Sequence, residues 1–330
     1  MRSINHQCRT KSPTRGSLTK RQRKSYIDAV HCLTHKPAQT PLSEIPGVRN
    51  RYDDFVGSHL QQTPFVHADG LFLPYHRYYV FLYEKALRDE CGYDGAQPYW
   101  DWTLSYQDVR QASVFDGSPY SMGSNGEYVP DREPTPLQIP GGPLITFPPA
   151  TGGGCVYSGP FTPDKFSMHL GPITLGTQGP EGGLGYNPRC LARDLSPVLS
   201  QNSRPSNVTA LLDGCPDLGC FNSQLDGPTG VHTSGHFQVG SIQFDVFVSP
   251  SDPIFWLHHA QMDRIWTIWQ NQDPQARTFQ VWGTQTSGNR EFPSRLGGGI
   301  LTMGAARSVS LRGIANSELA NSPAKRQRHP

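Results

Sequence analysis

The chain lacks any apolar run of about 18 residues, the minimum for a membrane-spanning helix, although it has 330 residues. We therefore expect no transmembrane helix and no membrane partner. Its net charge is only +2, which is too small to indicate nucleic acid as the main partner. Residues 1–11 also lack the apolar stretch of a secretory signal. These features predict a cytoplasmic protein, or a secreted one if the N-terminus is incomplete.

Cysteine motifs typical of zinc ribbons and of thioredoxin-type sites are absent, because no two cysteines form a C-x-x-C pair. Seven cysteines are nevertheless more than an ordinary cytosolic enzyme carries, and the odd number leaves at least one without a disulfide partner. The cysteine content and the N-terminus thus indicate different compartments. The seven are Cys8, Cys32, Cys91, Cys155, Cys190, Cys215 and Cys220.

Helical signals are confined to four segments. Thr19 and Gln22 form a capping-box pattern that opens a helix reaching about Lys36. A short helix is expected over 51–62, another from Pro74 to Asp89, and a last one from Pro253 to about Gln270. Residues 103–230 are rich in Gly, Pro, Ser and Thr without a helical period, which predicts a long irregular insertion with a few short strands.

These patterns predict a mainly α fold in which a four-helix bundle core is surrounded by long irregular loops. The 34 Gly and 30 Pro residues are consistent with ordered loops around a compact core. We expect one domain over 1–330, with its core at about 19–285 and a tail at about 286–330 that is partly loop or disordered.

Histidine is not abundant, but six histidines fall into two groups of three. The first group is separated by steps of 8 and 9 residues, whereas the second contains a four-residue step that places two imidazoles on one helical face. Two sets of three neutral imidazoles, with no carboxylate or thiolate beside them, suit copper better than magnesium, calcium or iron. The groups are His59, His67 and His76, and His232, His236 and His259.

Other histidines have simpler interpretations. A single buried histidine is more often a core residue than a ligand, and His232 and His236 alone would be a weak signal. His31 and His35 repeat the four-residue step but lie in the first helix, far from the two groups. His258 precedes His259 directly, so at most one of these two should point inward.

Two copper(I) ions could deliver two electrons to O2 at once. Three imidazoles per copper leave an open coordination position, and an ortho-diphenol could return both electrons as it becomes a quinone. Helices hold such ligands more rigidly than loops do. The spacing therefore indicates a dicopper site in a helical core, with O2 as co-substrate.

Two long segments surround histidines of these groups, HADGLFLPYHRYYVFLYEKALRDECGYDGAQPYWDWT (67–103) and DPIFWLHHAQMDRIWTIWQ (252–270). They resemble the first and second copper motifs of the tyrosinase and catechol oxidase (polyphenol oxidase) family of type 3 copper proteins, and short ascomycete fungal members most closely. RYDDFVGSHLQQT (51–63), GVHTSGHFQVG (230–240) and NPRCLARDL (187–195) extend the resemblance.

The resemblance implies roles for individual residues. The first three histidines would bind copper A and the second three copper B, with His259 and not His258 as the ligand. Asp263, from the family's Asp-Arg pair, is a candidate carboxylate for orienting a ligand imidazole. A helix-surface salt bridge is the alternative. Trp100, Asp101 and Trp102 are expected to serve packing more than chemistry.

Departures from the family pattern are informative as well. Some relatives carry a cysteine, bonded to an imidazole, where this chain has Phe65, so no thioether is expected there. Efficient phenol hydroxylases often have Asn after the first copper-B histidine, together with an upstream acid. This chain has Thr233, a candidate catalytic residue, and its nearest upstream acid is Asp226. Val246 or Phe247 is expected to flank the site mouth, or else to pack in the core.

The expected function is therefore oxidation of o-diphenols or o-aminophenols to quinones by a copper-dependent polyphenol oxidase. Monophenol hydroxylation and a place in pigment or secondary-metabolite biosynthesis are open possibilities. Two copper ions per chain would be the cofactor, and a small phenol and O2 the partners. The alternatives are a hemocyanin-like O2 carrier, whose site is covered by a blocking side chain, and a copper-free interaction protein.

Overall fold

The computed structural model describes residues 14–67, 69–138 and 144–283. The expected tail at 286–330 and Cys8 lie outside these residues. The described part contains the α-helices α1 Lys20–His35, α2 Arg51–Val66, α3 Phe72–Cys91, α4 Pro197–Ser200, α5 Pro205–Gly214, α6 Leu218–Leu225, α7 Val231–Phe237, α8 Ile254–Gln272 and α9 Pro274–Arg277. Short 3-10 helices occupy Arg15–Ser17, Trp102–Leu104, Val109–Gln111, Pro180–Gly183, Gln201–Ser203, Ser241–Phe244 and Ser249–Ser251. The mainly α fold is confirmed.

Local sequence explains the ends of the long helices. The Thr19–Gln22 capping box at the start of α1 is present as predicted. A second capping box opens α2, where Asn50 and Asp53 satisfy each other's backbone N–H groups. Helix α3 ends at Cys91 and is capped by Gly92, whose φ of 67° is left-handed and favours glycine. The second helix is longer than expected, because it continues to Val66 instead of ending near residue 62.

The core helices differ in one respect from those predicted. One face of α8 is buried throughout, and α3 packs against both α1 and α8. The residues of that face are Phe255, His259, Met262, Trp266 and Trp269. Helix α1 contributes buried apolar residues such as Tyr26 and Leu33 to the core, but no histidine to either group. The short helix α7, instead of α1, is the fourth helix that carries histidines of the two groups. The six histidines therefore come from α2 and the residue directly after it, and from α3, α7 and α8.

The long insertion contains more helix than its composition predicts. Its two strands, β1 Thr135–Gln138 and β2 Leu144–Phe147, form an antiparallel pair with Thr135 opposite Phe147. Helices α5 and α6 were not predicted. Asp217 caps α6 by accepting the N–H of Cys220 at 2.9 Å, and burial of Phe221 and Leu225 holds the helix against the core.

Among the described residues, three disulfides join distant or neighbouring elements. They are Cys32–Cys91, between α1 and the end of α3, Cys155–Cys190 within the insertion, and Cys215–Cys220 between α5 and α6. In the part of the chain that the structure describes, no helix combines the length and apolar character needed to cross a membrane.

Candidate metal centre

The first histidine cluster, cluster A, is formed by α2, the residue just after it and α3. His59 lies in α2, His67 follows Val66, and His76 is one turn into α3. The Nε2 atoms of His59 and His76 are 3.4 Å apart. The His67 ring centroid lies 5.1 Å and 4.9 Å from the other two ring centroids. Cluster A thus brings together the three histidines expected for copper A.

The second cluster, cluster B, joins α7 to α8. The four-residue step predicted a shared helical face, and the Nε2 atoms of His232 and His236 indeed lie 3.0 Å apart. His259 reaches them from α8, with its Nε2 3.2 Å from that of His236. Among the described residues, the histidine clusters include neither His31 nor His35. His31 stacks instead on Phe161, with ring centroids 5.0 Å apart.

Hydrogen bonds at Nδ1 fix the tautomer of five of these six histidines. Each Nδ1 faces an oxygen that can only accept, so Nδ1 carries the hydrogen and Nε2 keeps its lone pair. The bonds are His59 to Phe247 O (2.9 Å), His67 to Thr63 O (3.2 Å), His76 to Phe72 O (2.7 Å), His232 to Asp226 Oδ1 (2.7 Å) and His236 to Gln243 Oε1 (2.6 Å). His259 Nδ1 is buried and has no such partner among the described residues.

The convergence of lone pairs makes both clusters suitable for a cation. Unprotonated Nε2 atoms at 3.0–3.4 Å repel one another unless a cation lies between them. Two nitrogens bound to one first-row ion at about 2.0 Å are separated by about 3.3 Å in a tetrahedral arrangement. The residues present therefore fit two ions with imidazole ligands, and an all-imidazole donor set is one that copper accepts.

Burial keeps the imidazoles neutral and available to a metal. Desolvation lowers the pKa of His67 to about 4, and neighbouring His232 contributes in the same direction. Desolvation also lowers the pKa values of His59, His76, His236 and His259 well below the ordinary value. Protons therefore compete with a metal for these nitrogens only at acidic pH.

Two buried phenylalanines contact histidines of both clusters. The Phe72 ring centroid lies 4.8 Å from that of His76 and 4.6 Å from that of His232. The Phe255 centroid lies 5.3 Å from that of His59 and 4.1 Å from that of His259. These rings exclude water around the site and fix the spacing of the two clusters.

The expected orienting role of Asp263 does not agree with the structure. The Asp263 carboxylate pairs with the guanidinium of Arg77, and both side chains are about one-third exposed. Arg77 also donates to Thr267 and Gln270 and lies over the Trp266 ring at 3.8 Å. This is the alternative interpretation, a salt bridge between two helix surfaces.

The side chains that do orient ligands are Asp226 and Gln243. Asp226 lies six residues before His232, at the end of α6, and its carboxylate remains 22% exposed. Gln243 is almost fully buried, and its Nε2 donates to Ser249 O at 2.8 Å, which fixes Oε1 toward His236. Sequence reasoning assigned no role to Gln243, since a lone glutamine in a loop carries no motif.

The expectation that only one of His258 and His259 points inward is wrong, because both side chains are 1% exposed and both contact cluster B. The His258 ring lies against Gly235, in the turn of α7 between His232 and His236. A Cβ atom at Gly235 would come within 2.1 Å of His258 Cε1. The missing side chain of Gly235 is what makes room for a second buried histidine.

The remaining candidate residues lie near the clusters but differ in their contacts. Thr233 Oγ1 donates to the backbone carbonyl of Asp226 at 3.3 Å. Phe247 is half-buried, and its carbonyl accepts from His59 in cluster A. Val246 is also half-buried. Whether either side chain flanks the mouth stays a prediction.

Solvent approaches the clusters from one side. His67 is half-buried whereas the other five expected ligands are buried, and half-buried Thr233 and Asp226 lie on the neighbouring helix ends.

Asp69, two residues after His67, accepts the Leu71 N–H at 2.8 Å. Burial raises the pKa of Asp69 to about 7. Sequence reasoning did not single out this carboxylate.

Comparison with known proteins decides the family. The common central domain of tyrosinase matches residues 49–272. The chain belongs to the tyrosinase family. Tyrosinase P of Aspergillus terreus is 39% identical over 282 residues, covering 82% of this chain and 78% of that protein. Tyrosinase-like protein orsC of Emericella nidulans is 40% identical over 281 residues, covering 80% and 74%. The structure of a mutant polyphenol oxidase from Thermothelomyces thermophila is similar with a TM-score of 0.75 and 44% identity, covering 80% of this chain and 72% of that one.

Family membership gives the histidine clusters their chemistry. The chain is a copper-dependent oxidase of the type 3 class, and two copper ions are its cofactor. Like the rest of its family, it acts on small phenolic molecules and uses O2. The expected family, enzyme class and cofactor are confirmed.

Proposed function

We propose that this enzyme oxidises o-diphenols and o-aminophenols to quinone-type products, and hydroxylates monophenols more slowly. Two diphenol molecules give up four electrons and four protons, which convert one O2 into two water molecules. The observation that carries the proposal is the convergence of Nε2 lone pairs in two adjacent clusters, whose His76 and His259 rings stack with centroids 4.4 Å apart.

The proposed ligand sets are the two clusters themselves. His59, His67 and His76 would hold copper A, and His232, His236 and His259 would hold copper B. When bound, the copper pair supplies the electron-transfer centre at which O2 is reduced. The protein's own contribution is to aim Nε2 inward through the Nδ1 hydrogen bonds, to exclude water with Phe72 and Phe255, and to admit substrate beside His67.

The preference for diphenols is supported by the hydrogen bonds around Thr233. Hydroxylation requires that a phenol with a pKa near 10 lose its proton at the site, which needs a base or a polarised water. The Thr233 hydroxyl is already bonded to the Asp226 carbonyl, and the Asp226 carboxylate accepts from His232. The Thr233 hydrogen and Asp226 Oδ1 are therefore engaged with protein partners, which favours the reaction that needs less help with deprotonation.

The compartment is a separate proposal. Three disulfides support passage through an oxidising compartment, because cytosolic thiols are kept reduced. The sequon at Asn207-Val208-Thr209 lies at the start of α5, where Thr209 is exposed. Thiol titration of the denatured protein purified from its natural source should find at most one reactive thiol, because six of the seven cysteines are paired. Seven reactive thiols would contradict the proposal.

A copper and substrate test examines the proposed function directly. Protein loaded with copper should hold two ions per chain, show a near-ultraviolet absorption band on exposure to O2, and oxidise catechol and o-aminophenol faster than tyrosine. An O2-dependent band without turnover would indicate a carrier instead. Absence of both copper and the band would indicate a copper-free interaction protein. Loading of a single ion, or a preference for zinc with no O2-dependent band after copper loading, would contradict the dicopper site.

A further inference from the structure

A fourth imidazole, that of His258, lies beside the three histidines of cluster B. His258 lies with His232, His236 and His259 in a group whose candidate ligand atoms are all within 4.8 Å of one another. Its ring centroid is 4.4 Å from that of His236 and 5.0 Å from that of His259. A fourth imidazole on copper B would occupy the coordination position that a catalytic metal keeps open. The fold therefore has to prevent His258 from binding.

A hydrogen bond from Trp102 determines which nitrogen of His258 carries the hydrogen. Trp102 Nε1 lies 3.0 Å from His258 Nδ1, and both side chains are fully buried. The indole N–H can only donate, so His258 Nδ1 must accept with its lone pair. The one hydrogen of the neutral ring is then on Nε2, which is buried and has no hydrogen-bond partner among the described residues. In this tautomer His258 has no free lone pair to offer a metal.

The position of the ring is fixed as tightly as its tautomer. His258 stacks on His232 at 5.4 Å with an interplanar angle of 16°, and its edge lies against the Cα of Gly235. Trp102 approaches from the 3-10 helix Trp102–Leu104, just before the long insertion. The five Nδ1–H groups of the proposed ligands donate to oxygens. At His258 the direction is opposite, because Nδ1 accepts.

We infer that Trp102 is a positioning residue that keeps His258 from becoming a fourth ligand and thereby keeps copper B open to O2 and substrate. This rests on the ligand set of the proposed function. Without the indole N–H, the His258 hydrogen can move to Nδ1 and free the Nε2 lone pair. Trp102 therefore does more than the packing expected from its sequence.

The test compares Trp102→Phe with the double variant Trp102→Phe/His258→Phe. Trp102→Phe should still hold two copper ions but bind one of them more tightly, as measured by chelator competition. It should also lose the O2-dependent near-ultraviolet band and at least about tenfold of the catechol turnover, as is typical for loss of an outer-shell partner. The double variant removes the competing imidazole together with its hydrogen-bond donor, so it should regain the band and most of the turnover.

Trp100→Phe is the matched control, because Trp100 is also buried in the same segment but packs on Phe115. It should leave copper content, the band and turnover unchanged. The inference is overturned if Trp102→Phe keeps both the band and the turnover. It is also overturned if Trp102→Phe releases copper or if the double variant stays as inactive as the single one, because loss of packing alone then explains the effect. Failure of the proposed function would be distinguishable, because the wild-type protein itself would then lack copper or the O2-dependent band.

Discussion

Replacing Gln243 offers the sharpest test of how the protein holds copper B. Gln243 lies in the loop between α7 and α8, and its Oε1 accepts from His236 Nδ1 at 2.6 Å. Gln243→Leu keeps the approximate volume but removes the acceptor, so the buried Nδ1–H of His236 loses its partner. The imidazole can then rotate, or carry its hydrogen on Nε2, and both changes oppose metal binding.

The size of the effect follows from the burial of this pair. A buried donor left without a partner costs about 1–3 kcal/mol. If that cost falls on the copper-bound geometry, copper-B affinity decreases by about 10–100-fold, since about 1.4 kcal/mol corresponds to tenfold. Gln243→Glu retains an oxygen acceptor and makes His236 more basic, so it should recover most of the affinity although it loses the bond to Ser249.

Chelator competition on the copper-loaded protein measures this prediction. Gln243→Leu should release one of two copper ions at lower chelator concentration and weaken the O2-dependent absorption band. Gln238→Leu is the matched control, because Gln238 is fully buried in the same loop and bonds Ser203 instead of a histidine. Unchanged affinity in Gln243→Leu, or an equal loss in Gln238→Leu, would refute the orienting role of Gln243.

Four further predictions test neighbouring features. In the wild type, catechol oxidation should exceed tyrosine hydroxylation by at least about tenfold, or about 1.4 kcal/mol in barrier, and Thr233→Asn should narrow that ratio; equal wild-type rates would refute the argument. His259→Ala should lower copper content from two ions toward one, whereas His31→Ala should leave it at two; metal analysis showing the reverse would exclude this ligand set. Gly235→Ala should lower the melting temperature of the copper-free protein, because overpacking costs about 1–3 kcal/mol and the gain in helix propensity is at most about 1 kcal/mol; a raised melting temperature would show that the neighbouring ring moves away easily. The free energy of unfolding of the copper-free protein should fall as pH decreases from about 6.5 to about 4, because histidines such as His67 have a lowered pKa when folded and the unfolded chain binds more protons; a flat urea-unfolding series over this range would contradict the assignment.

The parts of the structure that the sequence predicts are those governed by local rules. Capping residues and terminators located α1 and α3, because such signals act within one helical turn. The four-residue step of His232 and His236 predicted a shared helix face for the same reason. Helices α5 and α6 gave no such signal, since short helices depend on tertiary contacts and, here, on the Cys215–Cys220 disulfide between them.

The partners of the histidines could not be predicted, because they depend on how distant segments approach one another. Asp263 shares a helix with His259, yet its carboxylate points to the helix surface and pairs with Arg77. Asp226 follows α6 directly and Gln243 lies in a short 3-10 helix. No periodicity in the sequence marks either residue, and they reach Nδ1 atoms only in the folded chain. Closeness of an acidic residue to a histidine in the sequence is thus weak evidence that it orients the imidazole. The folded path of the backbone decides which carboxylate reaches Nδ1.

The irregular segments therefore have a direct part in positioning the metal centre. The loop between α7 and α8 supplies Gln243 to cluster B and the Phe247 carbonyl to cluster A. Asp245 holds this loop on the insertion by accepting the N–H groups of residues 173 and 174 at 2.6 Å and 3.0 Å. At the loop's end, Asp252 accepts the Ile254 N–H at 3.0 Å and forms a fully buried ion pair with Arg193 of the insertion. Breaking a buried ion pair costs about 3–5 kcal/mol, so the insertion fixes the position at which α8 starts. The start of α8 in turn determines the direction from which His259, further along the same helix, reaches the metal.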